Sequence, residues 1–129
     1  MENSITQEFL KAELHTLAAN GAILRLAGEI DMSTGHIVAE QLEVASKAGW
    51  TEFVIDLTKV SFMDSVGLHV LIEGKRLLHE SGSAIVLVTS PQIRRLFDLV
   101  FPEPIFATRV NSMEEAMRFL GLEENRDDK

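Results

Sequence analysis

The sequence predicts a single α/β domain in which a mixed β-sheet of about five strands packs against about four helices. The 129-residue chain is long enough for one hydrophobic core and too short for two. Short apolar runs alternate with segments of helical periodicity, which is typical of parallel strands joined by helices. An Ala-Asn-Gly turn at 19–21 separates two N-terminal strand patterns and indicates an antiparallel hairpin. We expect the domain core at about 8–121 and a charged tail at 122–129.

The strands are predicted from runs of apolar and β-branched residues. They are expected at 8–15, 22–28, 53–57, 84–88 and, as a weak edge strand, 105–108. In the second of these, Ile23, Leu24 and Leu26 are expected on the buried face. The runs at 53–57 and 84–88 are continuously apolar, which favours central parallel strands that are covered on both faces.

Four helices are predicted from apolar periodicity bounded by cap residues. They are expected to begin at Ser33/Thr34, Asp64-Ser65, Ser90-Pro91 and Ser112, and to end at Gly49, Ser81-Gly82, Pro102 and Gly121. In the second helix, Gly67 and Gly74 fall on the apolar face. We expect these two glycines to let that helix lie close against the sheet.

Composition excludes several classes of function. The chain has no cysteine, which argues against disulfides, a thiolate nucleophile or a cysteine zinc site and suits a reducing cytoplasm. It shows neither a secretion signal nor the ~20 consecutive apolar residues of a membrane span, so membrane insertion is not expected. The net charge is −8 and the basic residues are scattered, so nucleic acid is not an expected partner. A partner with a basic docking face is favoured instead.

No arrangement of residues predicts catalysis. The four histidines are scattered without metal-site spacing, and the chain lacks a nucleophile elbow, a Walker loop and a glycine-rich dinucleotide turn. Arg94 and Arg95 lie on the outer face of the third predicted helix, where solvation and contact with an acidic group both remain open. We therefore interpret the chain as a binding module and not as an enzyme.

The segment from Asp56 to Leu68 carries the most functional information. A buried strand ends there, a short loop follows, and a helix opens at Asp64-Ser65. In open α/β sheets, loops beyond the carboxyl ends of strands are the places where ligands and partners bind. A helix N-terminus favours negative charge, so a phosphate on Ser65 is compatible with the helix. The alternative is that Asp64 or Ser65 only caps the helix.

This segment, Asp56-Leu-Thr-Lys-Val-Ser-Phe-Met-Asp-Ser-Val-Gly-Leu68, resembles the signature of the STAS family. Bacterial anti-sigma factor antagonists of that family carry Asp-Ser-x-Gly-Leu here, and Val66 stands where x is usually small or polar. The stretches Leu26–Asp31 and Gln92–Leu99 also resemble the family, and the likeness extends from about Phe9 to Gly121. The resemblance implies a STAS-like mixed sheet.

The resemblance also implies a mechanism of partner switching in the bacterial cytoplasm. The unphosphorylated antagonist would bind an anti-sigma factor that is also a serine kinase of the histidine-kinase-like ATPase fold, and so release a sigma factor. Phosphorylation of Ser65 would end that binding, and a PP2C-type phosphatase would restore it. ATP and magnesium would belong to the partners, so no cofactor of this chain is implied.

The resemblance further implies a docking surface around the motif. Its expected residues are Asp31, Met63, Asp64, Ser65, Val66, Gly67 and Leu68. Either Met63 or Val66 is expected to offer an exposed apolar anchor, and Gly67 to admit close backbone approach. Ordinary packing remains the alternative for Met63, Val66 and Leu68.

Two further hypotheses remain open. The chain resembles STAS modules generally, and these also serve in stress-sensing complexes and as accessory subunits of lipid transporters. The second hypothesis is a small enzyme or nucleotide-binding protein that uses the loops at Asp31 and Asp64. A serine that can accept a phosphate, Ser65, favours the hypothesis of an anti-sigma factor antagonist, because a purely structural subunit has no need of one.

Overall fold

A single mixed sheet forms the centre of the domain. The computed structural model describes residues 3–6, 9–17, 20–100 and 109–121. The strands of these residues are β1 (Asn3–Thr6), β2 (Leu10–Leu17), β3 (Gly21–Ile30), β4 (Glu52–Met63), β5 (Ala84–Val88) and β6 (Arg109–Val110). They lie side by side in chain order. The pairs β1–β2 and β2–β3 are antiparallel, and β3–β4, β4–β5 and β5–β6 are parallel. The predicted α/β class is therefore confirmed.

The described residues also form four helices, as predicted. They are α1 (Gly35–Ala48), α2 (Ser65–Glu80), α3 (Pro91–Val100) and α4 (Met113–Leu120). Ser90 caps α3, since its hydroxyl accepts a hydrogen bond from Ile93 N at 3.2 Å. Ser112 caps α4 in the same way through Glu115 N at 3.1 Å. The expected end of the third helix at Pro102 and the tail at 122–129 lie outside the described residues.

The N-terminal hairpin forms as predicted, but it is preceded by a strand that the sequence did not indicate. Asn20 holds the turn with a positive φ of 67°, a left-handed conformation that asparagine tolerates better than most residues. The additional strand is β1, which pairs with the outer edge of β2. The weak edge strand expected at 105–108 lies outside the described residues. Within them, the edge strand on the side of β5 is β6.

Strand β4 is longer than predicted and includes the segment expected to be a loop. The strand continues to Met63 in register with β3. Two register shifts each give β4 one residue more than β3 opposite them. These bulges place Leu57, Val60 and Met63 toward the core at a spacing of three residues. A strand is normally predicted from apolar residues at every second position, so the spacing of three did not indicate the second half of β4.

The core lies on both faces of the sheet. On one face, α1, α2 and α3 cover side chains that include Leu24, Ile55 and Leu87. On the other face, α4 contributes Ala116 to a smaller cluster with Ile23 and strand valines. The buried face predicted for β3 is thus confirmed at Leu24 and Leu26, whereas Ile23 is buried on the opposite side. Successive strand residues point to opposite faces, so Ile23 and Leu24 serve different clusters.

The two glycines of α2 lie at different contacts. A Cβ at Gly67 would lie 2.5 Å from the backbone oxygen of Ile30, so this glycine lets α2 approach the end of β3. A Cβ at Gly74 would instead meet the side chain of Leu42 in α1. The expectation that both glycines face the sheet is therefore wrong for Gly74. It lies at a helix–helix contact, where the absence of a side chain makes room for Leu42.

Candidate functional site

The candidate site lies where β3 and β4 end side by side. Ile30 and Met63 are partners in the last register of the parallel pair. Asp64 N then donates a hydrogen bond to Ile30 O at 3.3 Å. Because both strands end at one edge, the residues that follow them are brought together, as is usual for parallel strands. Asp31 and Asp64, 33 positions apart in the chain, therefore follow the strands at the same edge.

Asp31 organises the turn between β3 and α1. Its Oδ1 accepts hydrogen bonds from Ser33 N at 2.9 Å, Ser33 Oγ at 2.8 Å and Thr34 N at 3.2 Å. The Ser33 hydroxyl bond, followed by the Ser33 amide, lowers the pKa of the Asp31 carboxyl below its ordinary value. Asp31 is therefore ionised at neutral pH, and its charge holds the turn.

The hydroxyl expected to cap α1 is used elsewhere. Thr34 stands at the N-cap position, but its side chain makes no capping hydrogen bond. Its Oγ1 donates to Glu29 O at 2.7 Å and accepts from Asp31 N at 2.9 Å. The predicted side-chain cap at Ser33 or Thr34 is thus wrong, because both hydroxyls are engaged in the Asp31 turn.

Asp64 and Ser65 occupy the start of α2 in two distinct ways. Asp64 is the N-cap, with an extended backbone and a carboxylate that accepts from Gly67 N at 3.0 Å. Ser65 is the first helical residue and is exposed. Within the described part of the chain, its hydroxyl has no hydrogen-bond partner. Asp64 therefore accounts for the cap, and the Ser65 hydroxyl is open to solvent at the positive end of the helix.

The remaining predicted docking residues differ in exposure. Val66 is exposed, whereas Met63 and Leu68 belong to the buried core and Gly67 is buried against Ile30. Of the two candidates for an exposed apolar anchor, Met63 takes the alternative of ordinary packing, since its side chain faces the core at the end of β4. Of the apolar side chains expected here, Val66 is the one on the surface.

Two surface residues at this edge were not anticipated. Met32 lies at the tip of the Asp31 turn, and Phe62 lies one residue before Met63 in β4. Both side chains are large, apolar and exposed. Their exposure depends on the turn and on the second bulge of β4. No local pattern in the sequence indicates either feature.

Two kinds of feature are absent from the described residues. Among them, no group of three or more histidine, aspartate or glutamate side chains is placed to hold a metal ion. Within the same part of the chain, no helix has the length and apolar character needed to cross a membrane.

Comparison with known proteins identifies the family. Residues 12–116 match the model of the STAS domain, and this match spans most of the chain. The chain belongs to the STAS domain family. A relative, the anti-sigma F factor antagonist of Paenibacillus polymyxa, is 33% identical over 98 residues, which cover 72% of this chain and 84% of the relative. The segment Asp56–Leu68, which carried the resemblance to STAS proteins, runs from the second half of β4 into the start of α2.

Solved structures show the same fold. An anti-sigma factor antagonist from Mycobacterium paratuberculosis superposes with a TM-score of 0.78 at 21% identity, covering 90% of this chain and 97% of that chain. The Bacillus cell fate determinant SpoIIAA in its phosphorylated form gives a TM-score of 0.65 at 23% identity, covering 84% of this chain and 98% of that chain. The STAS fold assigned from the sequence is therefore shared along nearly the whole of these two proteins.

Proposed function

We propose that this STAS domain is an anti-sigma factor antagonist of the bacterial cytoplasm whose activity is controlled by phosphorylation of Ser65. The observation that carries the proposal is the position of Ser65, exposed at the first residue of α2, with the capping interaction supplied by Asp64. The name of the Paenibacillus polymyxa relative supports the antagonist function. The phosphorylated form of SpoIIAA, a neighbour of the same fold, supports control by phosphate.

A phosphate on Ser65 is compatible with the folded domain. The first amides of a helix lack partners within the helix and, with the helix dipole, favour an anion at the N-terminus. Because Ser65 is exposed, the phosphate remains hydrated and disturbs no core contact. We therefore expect α2 to stay folded when Ser65 is phosphorylated.

The same phosphate opposes binding to a partner. With the Asp64 carboxylate next to it, it would bring the local charge to roughly three negative charges. That charge must be stripped of water when a protein surface closes over it, and it repels acidic groups on the partner. The phosphate is thus tolerated by the domain and disfavoured by the complex.

The partner in this proposal is an anti-sigma factor that is a serine kinase of the histidine-kinase-like ATPase fold. The Ser65 Oγ attacks the γ-phosphorus of ATP bound to the kinase, the bond to the β–γ bridging oxygen breaks, and ADP leaves. The hydroxyl proton passes to a base of the kinase. A PP2C-type phosphatase reverses the modification by hydrolysis, which returns the serine hydroxyl and releases inorganic phosphate.

The proposal is tested by phosphoryl transfer from purified anti-sigma factor kinases of the host. Each kinase is incubated with ATP, magnesium and the wild-type chain, Ser65→Ala or Ser61→Ala, and intact mass and peptide mapping locate the phosphate. Ser61 is a matched control because it is also exposed and lies on β4, four residues before Ser65. We expect one phosphate on the wild type and on Ser61→Ala, and none on Ser65→Ala. Phosphate on Ser65→Ala, or on no variant with any kinase, contradicts the proposal.

A further inference from the structure

Three exposed apolar side chains lie around the edge at which Ser65 begins α2. The exposed fractions are 79% for Met32, 50% for Phe62 and 39% for Val66. We call these three residues the apolar edge patch. Single exposed apolar residues are ordinary on protein surfaces, but several at one place are typical of an interaction site.

Backbone contacts place the three residues at one edge. Met32 lies at the tip of a turn closed by the bond from Gly35 N to Asp31 O at 2.8 Å. A Cβ at Gly35 would lie 3.5 Å from Val66 Cγ1, so Val66 lies beside the start of α1 and the end of that turn. Val66, as a residue of α2, is therefore on the helix-covered side of the edge.

Phe62 lies on the other side of the same edge. It is the register partner of Glu29 and precedes the buried Met63. Because successive strand residues point to opposite faces, the exposed ring of Phe62 points away from the helices that cover Met63. The apolar edge patch therefore extends over both sides of the edge that carries Ser65.

The electrostatic setting of the patch indicates the chemistry of its occupant. The turn at 31–34 and the helix start at 64–66 contain two carboxylates and no lysine or arginine. Asp31 is held in its charged form by Ser33. The negative charge that borders Met32 and Val66 fits a partner that presents apolar side chains among basic groups, and it disfavours an acidic partner.

We propose that Met32, Phe62 and Val66 determine which anti-sigma factor this chain binds. The inference rests on the proposed function and adds the basis of its selectivity. Ser65 distinguishes only the phosphorylated from the unphosphorylated chain, because its hydroxyl is the same small group whichever anti-sigma factor binds. The carboxylates of Asp31 and Asp64 favour every partner with a basic docking face alike, so they do not distinguish one such partner from another. Shape-dependent burial of the apolar edge patch is therefore the feature that distinguishes one anti-sigma factor from another.

Serine substitutions with matched controls test the patch. Met32→Ser, Phe62→Ser and Val66→Ser remove its apolar surface one residue at a time. The controls are exposed residues of similar type elsewhere: Leu99 at 83%, Phe119 at 60% and Val44 at 45% exposure, each changed to serine. All six positions are on the surface, so thermal unfolding of the six variants is expected to stay close to that of the wild type.

The measurement is the dissociation constant of each variant for every purified anti-sigma factor kinase of the host, with ADP and magnesium so that no phosphoryl group is transferred. We expect each patch variant to bind the preferred kinase at least about tenfold more weakly than wild type, and each control to stay within about twofold. We also expect the preference for that kinase over the others to shrink.

Two other results separate the failure of this inference from the failure of the proposed function. The same series includes Ser65→Asp, which places a negative charge where the phosphate would be. If patch variants and controls bind alike while Ser65→Asp binds more weakly than wild type, the patch proposal is overturned and the phosphorylation switch stands. If the wild-type chain binds none of the host kinases, the proposed function fails and the patch proposal fails with it.

Discussion

Asp64 and Ser65 are adjacent in the chain, but only Asp64 takes part in the helix cap. Its carboxylate satisfies Gly67 N, an amide that would otherwise lack a partner at the start of α2. We predict that Asp64→Ala lowers the free energy of unfolding by about 1 kcal/mol, because the cap is lost. Ser65→Ala should change it by less than about 0.5 kcal/mol. Urea denaturation measures both; an equal loss in the two variants would mean that the Ser65 hydroxyl is structural.

The Asp31 carboxyl provides a second prediction at the scale of single residues. Its pKa is predicted to lie below the ordinary value of 3.8, chiefly because of the Ser33 hydroxyl. A lowered folded-state pKa means that the carboxylate stabilises the domain at neutral pH. This contribution is lost as the pH falls from 3.8 through the lowered value.

Carboxyl-detected NMR titration checks this pKa in the wild type and two serine variants. Ser33→Ala is expected to raise the pKa of Asp31 toward its ordinary value. Ser46→Ala is the control, since Ser46 is an exposed serine whose hydroxyl bonds to Glu43 O within α1. An Asp31 pKa that is unchanged in both variants would show that the Ser33 hydroxyl does not hold the charge.

At the scale of elements, the position of α2 on the end of β3 depends on Gly67. A Cβ there would lie 2.5 Å from Ile30 O and 2.9 Å from Met63 Cγ, and the backbone oxygen has no rotamer by which to move away. We predict that Gly67→Ala destabilises the domain by about 1–3 kcal/mol. The expected change is a shift of α2 away from the sheet.

Gly35→Ala is the matched control for that prediction. A Cβ at Gly35 would make only ordinary contacts, at 3.4 Å from Val70 Cγ2 and 3.5 Å from Val66 Cγ1. Alanine is the better helix former, so this variant should be unchanged or more stable by up to about 1 kcal/mol. Thermal or urea unfolding compares the two; similar effects at both positions would refute the role of Gly67.

The helices were predictable from the sequence because periodicity and cap residues are local signals. The start of α2 at Asp64-Ser65 is an example, since the cap and the first turn are adjacent in the chain. The second half of β4 was missed because its burial pattern comes from bulges against β3. Strand β1 was missed because it has only four residues, of which three are polar. Both strands depend on tertiary pairing, which no local pattern records.

The functional site was predictable to the same extent. The resemblance to the STAS family implied that Asp31 and Asp64 share one docking surface, and the two residues do follow adjacent parallel strands. The exposure of Met32 and Phe62, and the burial of Met63, depend on how β4 pairs with β3. A one-residue shift in that register exchanges buried and exposed side chains.

At the scale of the whole molecule, the net charge influences how fast the chain associates with a partner more than it influences the fold. The chain carries a net charge of −8, and the proposed docking edge has no lysine or arginine in its turn at 31–34 or its helix start at 64–66. We predict that the association rate with a basic docking face falls several-fold as salt is raised from low to high concentration. The dissociation rate should change little, because the apolar contacts are insensitive to screening. Stopped-flow mixing measures both rates; a salt-independent association rate would contradict electrostatic steering.

The central claim is that a phosphate on Ser65 separates the folded domain from its partner without unfolding it. Isothermal calorimetry of the preferred anti-sigma factor kinase, with ADP present, against the unphosphorylated and the Ser65-phosphorylated chain tests it most directly. We predict that phosphorylation weakens binding at least about a hundredfold, equivalent to about 2.7 kcal/mol, while the circular dichroism of the domain is unchanged. Equal affinities for the two forms, or a loss of helical signal on phosphorylation, would contradict the claim.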